Sequence, residues 1–301
     1  MRGTTNKSHT SKGGNRASIF SVDVEDWFNI SAVGSEPKPS EWDNLPTCVE
    51  KNFRDMLAIF RENDAKVTCF FLGYFAKRFP ALVKEAAAQG HEIASHSYYH
   101  RLAYDLTPDE FLTDISDAKK TLEDIAGVEV KGFRAPAFSV TPRNLWFFDK
   151  LIEAGYTYDS SVFPAHHQIG GLPGSPLFPH RIQRAGGELT EFPITAVDVF
   201  GKPMCFFGGG YLRLFPYPLI KTMAHKALST DRPVIYYVHP REIDPHHPRL
   251  EMSKKRTFTT YVNLKTTRRK IEKILHDFPI STFAEYIERR AEFPLGPPLA
   301  A

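Results

Sequence analysis

His91-Glu92-Ile93-Ala94-Ser95-His96-Ser97-Tyr98-Tyr99-His100 is a short apolar-centred run that stops abruptly at residues able to carry chemistry. Residues 91–95 read as a strand that delivers His96 to its C-terminal end. Upstream, residues 75–89 have helical spacing and are closed by Gly90, a residue suited to the left-handed cap. Residues 67–72 form a continuous apolar strand. Residues 48–63 predict a helix with Phe53, Leu57 and Phe60 on one face. Residues 19–24 predict a first strand that runs into acidic residues. Downstream, Thr107-Pro108-Asp109-Glu110 supplies an N-cap and a proline at the first helical position, for a helix to Ala126 ended by Gly127. A strand over 130–134, a helix over 141–154 capped by Gly155, and strands over 156–159 and 233–238 follow. Helices over 266–276 and 281–290 close the chain.

Repeated strand–helix units point to a parallel α/β architecture. Asp23, His96, Arg134, Asp159 and His239 all fall at or just beyond the C-terminal ends of different predicted strands. In an α/β barrel those ends share one face, where active sites are assembled. The expectation is one domain over residues 18–301, a distorted (β/α) barrel with fewer than eight complete units. Residues 163–210 are rich in Pro and Gly, carry irregular strands and read as a loop-rich insertion packed over the mouth. Residues 1–17 are polar and read as a disordered tail. No internal repeat or linker divides the rest.

The 301 residues carry a formal net charge of only +3. No basic stripe is present, which argues against a nucleic-acid binder. The runs Lys254-Lys255-Arg256 and Arg268-Arg269-Lys270 read as solvated surface. The pairs His166-His167 and His246-His247, in Pro-rich loops, read the same way. Cys48, Cys69 and Cys205 form no Cys-x-x-Cys pair, which excludes a zinc ribbon or a redox motif. Cys69 reads as core, and a chain of this size needs no disulfide framework. No apolar leader opens the chain, and no apolar stretch is long enough for a membrane span. The expected location is cytoplasmic. Oligomeric state is left open by the residues.

His96 and His100, four apart, would lie on one side of a helical turn with Cβ atoms roughly 5–6 Å apart, close enough to share one metal ion. Two half-exposed loop histidines fit the spacing equally well. Asp23, Glu25 and Asp26 put three carboxylates into four residues, which is unfavourable unless they are solvated or bind a cation. A solvated acidic turn is the plain alternative; a metal ligand beside a general base is the functional one. A carboxylate with two imidazoles is a common open site for a catalytic divalent ion. Arg134 could hold a carboxylate by a bidentate pair or lie on the surface. His239 ends an apolar strand as a core residue or as a general acid.

The order along the chain is carboxylates, His-x-x-x-His, Arg-x-Pro, an Asp, then a late His. In this it resembles the polysaccharide deacetylase family, the NodB-homology or carbohydrate esterase 4 group, from about Ile19 to His239. Gly208-Gly209-Gly210-Tyr211, His239-Pro240-Arg241-Glu242 and Tyr261-Val262-Asn263-Leu264 are similar to the branch found with exopolysaccharide and exosortase loci. The resemblance implies Asp23 as catalytic base and His96 and His100 as metal ligands. Its Asp-x-Asp register puts Glu25 at the metal carboxylate, with Asp26 as the alternative. Arg134 would orient the base, Asp159 would tune the late His, and His239 would be the general acid. The family's Arg-x-Pro-Tyr has Ala137 at its last position, which keeps the backbone N–H of an oxyanion hole. Phe163 replaces a family Trp, and Pro240 replaces an Asp.

The implied reaction is N-deacetylation of an N-acetylated carbohydrate, with one divalent ion, Zn²⁺, as cofactor. Trp27, Phe138, Phe163 and Tyr211 are candidates to stack on sugar faces, or are simply core. A glycosidase using two of Asp23, Glu25 and Asp26 is one rival, although such pairs need about 5–10 Å between carboxyl groups. A non-catalytic sugar-binding module is the other.

Overall fold

The computed structural model describes residues 18–31, 33–165, 169–290 and 292–297. The readings of residues 1–17 as a disordered tail and of His166-His167 as surface lie outside the described residues. The chain runs β1 (Ser18–Val24), α1 (Val49–Glu62), β2 (Thr68–Phe71), α2 (Gly73–Arg78), α3 (Pro80–Ala88), β3 (Glu92–Ser95), α4 (Pro108–Ala126), β4 (Gly132–Phe133), α5 (Trp146–Glu153) and β5 (Tyr158–Asp159). It continues with β6 (His180–Arg184), β7 (Gly187–Glu191), β8 (Ala196–Val199), β9 (Lys202–Cys205), α6 (Gly209–Leu214) and α7 (Tyr217–Leu228). It ends with β10 (Ile235–Val238), α8 (Lys254–Tyr261), α9 (Leu264–Asp277), β11 (Ile280–Ser281) and α10 (Phe283–Arg289).

Nine strands form one sheet in the order β10-β1-β2-β3-β4-β5-β7-β6, with β11 also paired to β1. Every pairing in it is parallel except β6 with β7. The hydrogen-bonded path among the described residues does not close. The fold is therefore the expected α/β type, with an incomplete barrel. No helix among the described residues is long and apolar enough to cross a membrane.

Strands β1, β2, β4, β5 and β10 are buried on both faces, as parallel strands inside a covered sheet must be. Their period of two sorts side chains into two cores. Phe20, Val22, Cys69, Phe71, Ile93, Tyr236 and Val238 pack in the larger cluster with the helices. Ile19, Phe70, Ala94, Ile235 and Tyr237 pack in the smaller cluster with Tyr158 and Phe283. Asp23 shares the parity of Ile19, so the pleat turns it towards the smaller cluster rather than towards the helices. A one-residue slip of β1 would exchange those faces.

Two readings need correction. The helix expected over 75–89 is two helices, broken at Phe79 (φ −128°, ψ 60°) before Pro80. Proline pushes its predecessor out of the helical region and cannot donate to the preceding turn. The helix expected from Thr141 begins only at Trp146, because the Asn144 side chain accepts from the Thr141 N–H and hydroxyl, both at 2.8 Å, and closes a turn there. The strands expected in the 163–210 insertion are more regular than that reading: β7 extends the main sheet beside β5, and β8 and β9 form a separate two-stranded sheet. By contrast, Thr107 and Glu110 cap α4 reciprocally, and Gly127 ends it with φ 68°, as their types predict.

Gly208 bridges to Tyr237, and a Cβ placed on it would stand 2.1 Å from the Tyr237 ring. The chain after β9 can approach β10 only because no side chain intervenes. Gly208→Ala should therefore lower stability by about 1–3 kcal/mol, the usual range for overpacking. Denaturant titration checks this, and an unchanged midpoint would mean that Tyr237 yields freely.

Candidate active site

Arg134 follows β4 and is fully buried. Its Nη1 donates to Asp23 Oδ1 at 2.7 Å and to Ser21 Oγ at 2.8 Å, and its Nε donates to the Ser160 carbonyl at 3.2 Å. The guanidinium lies 4.2 Å from the centre of the Phe70 ring. Asp23 is thus fixed in place by a charge-assisted bond. Its other oxygen, Oδ2, stands 3.9 Å from His239 Nε2.

Glu25 Oε1 lies 3.0 Å from the Nε2 atoms of both His96 and His100. The pair does not sit on a helical turn as expected. Residues 96–100 are loop, with Ser97 (φ 69°) and His100 (φ 56°) in the left-handed region, and the imidazole centroids are 5.3 Å apart. His96 Nδ1–H donates to the Arg134 carbonyl at 2.7 Å, which leaves Nε2 as the nitrogen free to ligate. Ligand atoms of Glu25, His96 and His100 lie within 4.8 Å of one another, as do those of Asp23, Glu25 and His239. One carboxylate oxygen between two imidazole nitrogens fits a divalent ion. Burial presses the Glu25 carboxyl upward, yet His100, His239 and the imidazole hydrogen bonds outweigh it and hold the group well below the usual carboxylate range.

Asp26, the alternative ligand, is spent elsewhere. Its Oδ1 accepts from Trp27 N at 2.7 Å, and its Oδ2 accepts from Cys48 N at 2.8 Å and Val49 N at 3.0 Å, capping the start of α1. Burial raises its carboxyl in spite of these donors.

The expected partner of His239 also changes. His239 Nδ1 pairs with Glu242 Oε1 at 2.7 Å, not with Asp159. Glu242 is buried and also takes Arg213 Nη1 at 2.7 Å. Burial opposes its ionisation, but Arg213 and His239 bring it down to about 2. Asp159 accepts from Ser161 Oγ at 2.5 Å and hydrogen-bonds the Glu191 side chain. Burial pushes both of these carboxyls up. Glu242, Arg213 and Arg241 are site residues to which the sequence reading assigned no role. The spacing His239-x-x-Glu242 could have found the first.

These groups open into a cavity of about 540 Å³, lined by Asp23, Glu25, His96, His100, Ala137 and His239 among others. Phe138 and Tyr211 also line it. Trp27 and Phe163 do not take the expected platform positions. Trp27 is core, its Nε1–H donating to the Pro46 carbonyl at 2.9 Å, and Phe163 is buried behind Phe138 and Tyr211. Among the described residues of the 163–210 segment, only Ile169, Gly209 and Gly210 line the cavity. Two residues of a basic run read as solvated surface, Lys255 and Arg256, line it as well. Lys270, of the other run, is buried and donates to the Leu212, Arg213 and Phe215 carbonyls at 2.7–2.9 Å. His247, read as surface, is buried against Tyr261.

Residues 40–158 match the polysaccharide deacetylase family model, and residues 160–288 match a family described as Domain of unknown function (DUF3473). The peptidoglycan-N-acetylglucosamine deacetylase of Bacillus cereus is 30% identical over 102 residues, which are 34% of this chain and 37% of that one. The chitooligosaccharide deacetylase of Azorhizobium caulinodans is 39% identical over 79 residues, covering 26% and 38%. The chain therefore spans well under half the length of these two relatives. A candidate polysaccharide deacetylase from Mycobacterium smegmatis superposes with TM-score 0.62 at 19% identity, over 90% of this chain and 88% of that one. A 4-alpha-glucanotransferase from Thermococcus litoralis superposes at 0.58 and 17%, over 95% and 42%, so the fold alone does not choose a chemistry. The family-model match and the curated relatives together support a place for this chain in the polysaccharide deacetylase (NodB-homology, carbohydrate esterase 4) family.

Three backbone N–H groups depend on Asp26. Asp26→Ala should lower stability by about 1–3 kcal/mol, because buried donors are left unpaired. Chemical denaturation measures it; a midpoint equal to wild type would show that water or a shifted loop replaces the cap.

Proposed function

We propose that this protein is a metal-dependent N-deacetylase acting on an N-acetylated amino sugar of a bacterial polysaccharide or its precursor. The observation that carries the reading is the placing of Asp23 and His239 on one cavity beside the Glu25–His96–His100 group. A divalent ion on those three residues would supply Lewis acidity and acidify water. Two imidazoles and a carboxylate with open positions suit Zn²⁺.

The chain's own groups account for the proton transfers. Asp23, held by Arg134, takes a proton from water as its oxygen bonds to the acetamide carbon. The Ala137 N–H is the proposed oxyanion donor, at a residue held at φ 50° on the cavity wall. His239, its Nδ1–H tied to Glu242, gives a proton from Nε2 to the nitrogen as the C–N bond breaks. Acetate and a free amino sugar leave. Likeness of residues 208–211, 239–242 and 261–264 to the exopolysaccharide-locus branch supports an exopolysaccharide substrate.

A glycosidase fits less well. Carboxylate oxygens of Asp23 and Glu25 lie within 4.8 Å, Glu25 faces two imidazoles, and Asp26 is a helix cap. Such an enzyme needs two carboxyl groups about 5–10 Å apart and free to act on a sugar.

Metal analysis beside acetate release from N-acetylated oligosaccharides tests the proposal. Purified protein should carry one divalent ion, and chelation should abolish release. Glu25→Gln should lose the ion. Asp23→Asn and His239→Ala should keep it and lose about 10²–10⁴-fold in turnover. If Asp23→Asn strips the ion and Glu25→Gln retains it, the two carboxylates have exchanged roles. Chelator-resistant activity would end the metal reading.

A further inference from the structure

The same cavity is lined by four cations, Arg213, Arg241, Lys255 and Arg256, against the carboxylates of Asp23, Glu25 and Glu242. Each carboxylate already has a nearer partner than Arg241. Asp23 takes Arg134 at 2.7 Å, Glu25 faces two imidazoles at 3.0 Å, and Glu242 takes Arg213 and His239 at 2.7 Å. Arg241 is left 3.9 Å from Glu25 and 4.0 Å from Glu242, beyond hydrogen-bond length. It is only 9% exposed, and its Nε is buried without a hydrogen-bond partner. A guanidinium held largely away from water with its Nε unfilled is unfavourable unless a counter-charge comes close to it. Its planar fork matches the two oxygens of a carboxylate or phosphate.

Helix α8 adds charge of the same sign. Arg256 is positioned by its Nη2 bond to the Ser31 carbonyl at 2.9 Å, and Glu36 lies near enough to offset part of its charge. Lys255 is exposed on the cavity wall. Phe258, 58% exposed, lines the same wall and offers a flat apolar face beside these cations. The wall thus pairs an aromatic face with fixed positive charge, a combination suited to a sugar that bears an anion.

We infer that Arg241, with Lys255 and Arg256, forms a subsite for an anionic group, a carboxylate or a phosphate, carried by the N-acetylated sugar or by its neighbour. The sugar's identity rests on the deacetylase reading; the anion selectivity does not.

Titration calorimetry on the full chain reads binding apart from turnover. The probes are neutral diacetylchitobiose, an N-acetylglucosamine–glucuronate disaccharide and N-acetylglucosamine phosphate. At low salt at least one anionic probe should bind about tenfold more tightly than the neutral one, the factor expected for a net charge-assisted bond. Which anionic probe wins separates a uronate from a sugar phosphate. The anionic-to-neutral ratio should fall about tenfold in Arg241→Gln and severalfold in Lys255→Glu. The second variant changes an exposed residue and keeps the test valid if the first does not fold. Both variants also separate this subsite from anion capture by a metal at Glu25. Equal binding of all three probes, or a ratio unchanged in both variants, overturns the inference. Anion-selective binding without acetate release from any probe would keep the subsite and remove the deacetylase reading. Acetate release with no anion preference would do the reverse.

Discussion

The buried guanidinium of Arg134 is the fixed point around which the strand ends are arranged. It bonds to Ser21 and Asp23 on β1 and to Ser160 just beyond β5, and it lies over Phe70 of β2. Its own carbonyl takes the Nδ1–H of His96, which follows β3. One side chain and its peptide thus tie together the ends of several strands. A buried ion pair is not by itself a source of stability, since desolvation offsets most of the attraction. Its worth here is positional. The groups bonded to Arg134 have defined places, so Asp23 and His96 hold their orientations without help from a substrate.

The same constraint explains which features the sequence disclosed. Asp23, His96, Arg134 and His239 were legible because each ends an apolar run, and the parallel architecture gathers such ends on one face; His100 was legible from its spacing to His96. Their neighbours were not legible, because their roles depend on which atom faces which. Asp26 and Glu25 are adjacent and both acidic, yet alternation along the strand end sends one to the helix α1 cap and the other to the imidazoles. Asp159 ends its strand as expected but pairs with Glu191, from a strand within the segment read as a loop-rich insertion. The irregular strands read there gave no sign that β7 pairs with β5. Chain direction did not help either, since Glu242 reaches His239 through a short turn that follows Pro240.

Residues 208–211, 239–242 and 261–264 converge on the cavity for separate physical reasons. Gly208 permits close approach to Tyr237, so Gly209, Gly210 and Tyr211 reach the cavity wall. Pro240 starts the turn that sets Arg241 and Glu242 behind His239. Asn263, at φ 55°, donates from its side chain to the Arg213 carbonyl at 3.1 Å and joins α8 to α9. Arg213 in turn neutralises Glu242 and bonds the Thr259 and Thr260 carbonyls of α8. The wall that carries Lys255 and Arg256 is therefore coupled, through Arg213 and Glu242, to the imidazole of His239.

Backbone strain is concentrated where that geometry matters. Among the non-glycine residues with positive φ, Ser97, His100, Ala137 and Phe138 all lie in the loops after β3 and β4. A left-handed non-glycine residue costs about 1–2 kcal/mol, so four of them close together must be held by their surroundings. The holding bonds are present. Ser97 Oγ accepts from His100 N at 3.1 Å, Asp114 of α4 accepts from Tyr98 N at 2.7 Å, and Ser139 Oγ accepts from Ala103 N at 2.9 Å. Helix α4 packs its apolar face on the core and turns Asp114 to the loop, so the core that stabilises the helix also fixes the His96–His100 turn. The imidazoles are thus positioned by packing some distance from the cavity. Loop-borne groups reach the precision that a reaction needs only when their backbone is over-determined in this way.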